Sequence, residues 1–166
     1  MQRRNFLILG TLVGLSPYAV SKTVFLEDKT VKEVEKTIQA VQEHLFPEGS
    51  KIPSARSMRV TQYLFDAIGH ESYDKDIRAF VIEGAKELEI REKGQFVSLS
   101  RVKKEYALRS YEKTNYGSNW LGRIMTLTME GMFGDPVYGS NTKESGWKAL
   151  NAYGGQPRPK TRYITL

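Results

Sequence analysis

Between residues 30 and 133 the apolar positions of this chain recur at intervals of three and four, the spacing that gives an α-helix one buried face. Val31, Val34, Ile38, Val41 and Leu45 form the first series, and Thr30 with Glu33 makes a capping-box start for it. Phe46-Pro47-Glu48-Gly49 breaks that helix, and 49–53 reads as a loop. A second helix is predicted over 55–68, with Val60, Tyr63, Leu64 and Ile68 apolar and Gly69 ending it. A third, capped by Asp74, carries Ile77, Phe80, Val81 and Leu88 and ends near Gly94. Gly84 and Ala85 fall where closely crossing helices need small residues. Ser98 or Ser100 caps a fourth helix presenting Val102, Tyr106, Leu108 and Tyr111. The fifth, over 118–133, is apolar around much of its circumference, so it is either the central helix or is covered by another chain. Only 95–99 approaches the alternation of a strand, and no internal repeat is visible. The class predicted is all-α: a small helical bundle of about five helices, followed by an extended tail rich in Gly, Pro and aromatic residues.

The first residues follow a different logic. Arg3 and Arg4, one spacer, then Phe6 and Leu7 make the R-R-x-F-L pattern read by the twin-arginine (Tat) translocase. The paired guanidiniums hold fixed charge beside anionic headgroups, and a moderately apolar stretch follows, diluted by Gly10, Thr11 and Gly14. That stretch is far short of the roughly twenty apolar residues a spanning helix needs. Pro17 ends it, and Ala19-Val20-Ser21 offers small residues for cleavage before Lys22. A division follows: a signal peptide at 1–21, a helical domain at 22–133 and an irregular segment at 134–166. The place of action expected is the periplasm. Tat cargo usually folds before export, often around a cofactor, yet no cofactor motif is visible in this chain.

Composition narrows the chemistry. The chain has no cysteine, which removes disulfides, thiolate nucleophiles, iron–sulfur ligation and covalent haem c. His44 and His70, its two histidines, form no helical ligand pair, so no metal site is expected. A formal net charge of +6 is spread among mixed Lys and Glu without a basic block, and no nucleic-acid partner is expected.

From Gly134 onward the chain changes character. Gly134-Asp135-Pro136-Val137-Tyr138-Gly139-Ser140-Asn141, Gly146-Trp147-Lys148 and Tyr153-Gly154-Gly155-Gln156-Pro157-Arg158-Pro159 are too rich in Gly and Pro for a regular helix. They are also too aromatic for a disordered tail, because Tyr138, Trp147, Tyr153 and Tyr163 need a surface to bury against. Such a segment either folds back over its own bundle or wraps a neighbouring protein with its aromatic anchors. Both readings stand for Tyr138 and Trp147; beyond Tyr153 the partner is favoured.

Phe133-Gly134-Asp135-Pro136-Val137-Tyr138-Gly139-Ser140-Asn141 with Gly146-Trp147-Lys148 and Tyr153-Gly154-Gly155 resembles the closing signature of the gluconate 2-dehydrogenase subunit 3 family. These are the small or gamma subunits of membrane-associated flavin dehydrogenases. The family's usual form has two glycines where this chain has Gly139-Ser140. The twin-arginine start and the Phe46-Pro47 turn are also similar. The resemblance implies a complex of three parts: a large FAD-containing subunit that oxidises a sugar, sugar acid or polyol, a multihaem cytochrome c subunit, and a small subunit without cofactor. It also implies that the small subunit carries the Tat signal and brings the folded flavoprotein out with it. Asp135, Pro136, Tyr138, Asn141, Trp147 and Tyr153 are then the expected partner interface, and no catalytic residue is expected here.

Other arrangements have bland readings. Asp135 beside Tyr138 is a turn with an aromatic anchor as readily as an acid/base pair. Gly154-Gly155 lacks the strand and spacing of a dinucleotide fingerprint. Glu71, Asp74 and Asp76 sit at a helix start, where acids are favoured by the dipole. Met125, Met129 and Met132 read as core residues rather than ligands. The competing function is a stand-alone periplasmic small-molecule-binding protein or enzyme.

Overall fold

The structure is a computed structural model that describes residues 28–162, with side chains from residue 31 onward. Its helices are α1 (Asp28–Leu45), α2 (Val60–Gly69), α3 (Lys75–Arg91), α4 (Arg101–Glu112), α5 (Asn115–Phe133) and the short α6 (Ser145–Ala149). Single 3-10 turns lie at Phe96–Ser98, Pro136–Tyr138 and Thr142–Glu144, and no strand occurs among the described residues. None of the described helices is long and apolar enough to cross a membrane. The all-α bundle expected from the hydrophobic spacing is what the chain forms.

α5 is the central helix, packed against α1, α2, α3, α4 and α6. Trp120, Ile124, Leu127 and Met132 are buried along it, which accounts for its apolar circumference. Trp120 crosses α3 at Gly84, where an added Cβ would lie 2.0 Å from Trp120 Cδ1. Both polar tips of the aromatic pair at this crossing find acceptors on α3: Trp120 Nε1 donates to Val81 O at 2.9 Å, and Tyr111 Oη donates to Gly84 O at 3.2 Å. The two rings are 5.8 Å apart, so α3, α4 and α5 meet in one aromatic joint. A buried polar chain fixes a second junction. Gln42 on α1 donates to Thr128 on α5 at 3.2 Å and accepts from Thr61 on α2 at 2.7 Å. Thr37 and the backbone N–H of Phe96 both donate to Glu89, which ties α1 and α3 to the turn before α4.

Several elements depart from the spacing argument. α1 is already helical at Asp28, so Thr30 lies inside the helix and not at its cap. α2 begins at Val60, because the chain turns through Arg59 in the left-handed region at φ 56°. Ala55 and Met58 imitate a helical face since both are buried, but in a separate small cluster with Val60 and Met132. α3 stops at Arg91, before Gly94. The inward face of α4 is Ala107, Leu108 and Tyr111, while Val102 and Tyr106 are 63% and 73% exposed. Phe96 is buried in a 3-10 turn rather than a strand. Asp74 and Ser100 do act as caps, accepting from Asp76 and Ile77 and from Lys103 respectively. Thr114 starts α5 three residues earlier than the periodicity indicated, by accepting from the Gly117 N–H at 2.9 Å.

Two helical glycines should respond oppositely to the same change. Gly84→Ala drives a methyl into Trp120 and should destabilise the fold by about 1–3 kcal/mol, despite a helix-propensity gain of about 1 kcal/mol. An added Cβ at Gly122 meets nothing within 4 Å among the described residues. Gly122→Ala should therefore stabilise by about 0.5–1 kcal/mol. Urea denaturation of the two variants checks the pair, and equal effects would show that the crossing is looser than described.

Candidate functional site

A helix leaves its last carbonyls without intrahelical donors, and α5 ends against protein rather than in water. Gly134 N–H closes the final turn by donating to Glu130 O at 2.7 Å. The carbonyls of Phe133 and Gly134, where the helix stops, are met by side chains from further along the chain. Trp147 Nε1 donates to Phe133 O at 2.6 Å, and Asn141 Nδ2 donates to Gly134 O at 2.8 Å. Asn141 Oδ1 accepts from the Gly146 N–H at 2.8 Å, so one buried amide ties the end of α5 to α6. Gly146 is required here, because a Cβ would stand 2.2 Å from Met132 O.

The loop that makes this possible is built locally. Asp135 accepts from the Val137 N–H at 2.9 Å, and Pro136 occupies the first position of the 3-10 turn that follows. Gly139 then takes φ +90°, a conformation suited to glycine. Asn141, Lys143 and Glu144 also have positive φ, which reverses the chain into α6. Ser140 is buried, and its hydroxyl has no hydrogen-bond partner among the described residues.

Residues after α6 fold back over Trp147. A Cβ at Gly154 would lie 2.5 Å from Trp147 Cη2. The Arg158 guanidinium sits over the indole, 4.5 Å from the ring centroid, and donates to Asp135 at 2.9 Å and to Glu144 at 3.0 Å. Arg162 donates to Val137 O at 2.7 Å. Burial pushes the Asp135 carboxyl up, but the hydrogen bonds from Arg158 and Val137 and the Arg158 charge outweigh it and hold the group below the usual range.

The structure thus brings Asp135, Pro136, Asn141 and Trp147 into one closed unit made of this chain's own contacts. Tyr138 is half-buried at the end of the turn, and Tyr153 is 85% exposed. Arg3, Arg4, Phe6 and Leu7 lie outside the described residues. Arg158 is the residue that sequence reasoning passed over. Its partners are 14 and 23 positions away in the chain, and only the fold brings them together. The five-residue α6 was hidden by the density of glycine around it. Of Met125, Met129 and Met132, read from the sequence as core, Met132 is buried and Met129 is 46% exposed. No group of three His, Asp or Glu that could hold a metal occurs among the described residues. A separate open trough between α1, α4 and α5 is lined by His44, Leu45, Glu105, Leu108, Leu121 and Met125. His44 Nε2 lies 2.6 Å from Glu105 there, and hydrogen bonds from His44 and Arg109 hold the Glu105 carboxyl low.

The clasp on Trp147 should open in acid. Asp135 titrates lower when folded, so its contribution is complete above the unfolded pKa of about 4 and is lost as pH falls through the lower folded value. In proton NMR the Trp147 indole N–H signal should shift over that window while the Trp120 signal stays. Asp135→Asn should give the shifted signal already at pH 7. Joint movement of both indoles would mean general unfolding and not release of the clasp.

A family model described as gluconate 2-dehydrogenase subunit 3 matches residues 32–155. No curated protein and no solved structure matches the chain. The matched span takes in most of α1, the rest of the bundle and the closure of α5 as far as Gly154, which packs on Trp147, and its neighbour Gly155. The chain therefore belongs to the gluconate 2-dehydrogenase subunit 3 family, whose name marks a subunit of a multisubunit dehydrogenase.

Proposed function

We propose that this chain is the non-catalytic small subunit of a periplasmic, membrane-associated, flavin-dependent gluconate or sugar dehydrogenase. In this reading it serves the export, maturation and stability of the large flavoprotein subunit. The observation that carries the reading is the family match, which runs through both bundle and closing signature. The twin-arginine start supports the export role, since it is a signal for folded cargo. Folded export has a reason if the cargo is a partner that must bind FAD before it crosses, with a cytochrome c subunit taking the electrons afterwards. Asp135, Asn141 and Trp147 are committed to intrachain bonds, which fits a structural part for the signature.

The test is purification of a tagged chain from membranes under gentle conditions, followed by flavin fluorescence of what accompanies it. A flavin-containing partner is expected, and recovery of the chain alone would overturn the reading. The export role has its own test. Arg3→Lys with Arg4→Lys keeps the charge but loses the guanidinium pair. Both the chain and the partner's dehydrogenase activity should then stay in the cytoplasm; continued appearance of the partner in the periplasm would show that it travels independently.

A further inference from the structure

The outward side of α4 combines exposed apolar surface with charge that the bundle does not compensate. Ala107, Leu108 and Tyr111 turn inward. On the other side Val102, Tyr106, Arg109 and Lys113 follow at intervals of four, three and four residues, which sets them in one stripe. Val102 and Tyr106 are both well exposed, and among the described residues no other exposed large hydrophobics stand one turn apart on a helix. With Arg101 and Leu45 they line one shallow hollow, so Arg101 shares their surface. The charges of α4 fall into two groups. Its acids are matched internally: Glu105 pairs with Arg109 and His44, and Glu112 pairs with the same Arg109 guanidinium. Arg101, Lys103 and Lys113 are exposed and form no ion pair among the described residues. The first turn of α4 contains no acid, and positive charge there opposes the helix dipole. Fold stability therefore gives no reason for Arg101 and Lys103.

We propose that the outward stripe of α4 rests on the surface of an anionic phospholipid bilayer. Val102 and Tyr106 enter at headgroup level, and Arg101, Lys103 and Lys113 meet lipid phosphates. Cations beside an anionic membrane gain from its surface potential, and a tyrosine suits the boundary because its ring is apolar and its hydroxyl polar. No described helix is long and apolar enough to cross a membrane, and the contact proposed is peripheral. A bilayer is favoured over an acidic protein because an apolar pair flanked by unmatched cations needs only a flat anionic face, with no recess shaped to it. The inference goes beyond the subunit role and does not depend on it.

The chain has no cysteine, so Ser110→Cys, one turn beyond Tyr106, gives a single site for an environment-sensitive fluorophore. Gln62→Cys on α2 gives a control site. Each full chain is labelled and mixed with vesicles of phosphatidylglycerol and phosphatidylcholine, or of phosphatidylcholine alone. Emission from residue 110 should shift to the blue on the anionic vesicles only, and less as salt is raised, while residue 62 stays unchanged. Adding Arg101→Glu with Lys103→Glu should raise the lipid concentration for half the shift about tenfold or more. Acids in the first turn favour the helix, so the thermal midpoint should hold or rise and unfolding would not explain the loss. Equal shifts at 110 and 62, or a shift at 110 indifferent to lipid charge or to the two substitutions, would overturn the inference. Silence at 110 on anionic vesicles would also overturn it, and a blue shift there in the flavoprotein complex would then assign the face to a protein.

Discussion

The end of α5 imposes the constraint around which the last third of the chain is organised. A buried helix terminus with unmatched carbonyls costs about 1–3 kcal/mol for each group left without a donor. Here the donors are the side chains of Asn141 and Trp147. The Asp-Pro turn, Gly139, the run of positive φ angles and the absent side chain at Gly146 follow from the need to bring those donors back to the helix. Once Trp147 is in place, its outer face needs cover, and Gly154 and Arg158 supply it. A composition that looks like a loose tail is a set of linked requirements.

The other end of the same helix is fixed by shape. Trp120 can lie across α3 because residue 84 has no side chain, and its indole N–H and the Tyr111 hydroxyl take carbonyls that α3 can share. Between the two ends, Gln42 joins α1, α2 and α5 through hydrogen bonds that a shifted register would leave unmade in the core. α5 is thereby held by shape at one end, by side-chain donors at the other and by a polar register mark between them.

Much of this was legible in the sequence, and for identifiable reasons. Helix caps at Asp74 and Ser100 and the small residue at Gly84 are local signals with one physical meaning each. The misread boundaries have local causes too. Ala55 and Met58 are buried without being helical, and Val102 and Tyr106 are apolar without being buried. A periodic pattern reports hydrophobicity, not the direction a face takes, and only tertiary packing resolves that difference. The signature at 133–155 could be recognised as a resemblance, but its purpose could not be read. The partners of Asn141, Trp147 and Asp135 are carbonyls and a guanidinium brought together by the fold. The tail was open to two readings at Tyr138 and Trp147, and Trp147 is turned in; beyond Tyr153, where a partner was favoured, Gly154, Arg158 and Arg162 pack back on Trp147, Asp135 and Val137, while Tyr153 itself is exposed.

Family membership and the closed signature describe a subunit in which Asp135, Asn141 and Trp147 are committed to bonds within the chain, forming a platform at the end of α5. Such a platform must exist in the chain by itself. Hydrogen exchange of the isolated protein tests this at two groups, the Gly146 amide bonded to Asn141 and the Trp147 indole N–H bonded to Phe133. Protection at both should be comparable to that of the amides within α5, in the absence of any partner. Free exchange at both, with α5 itself protected, would contradict it and would mean that the signature is ordered only by the complex.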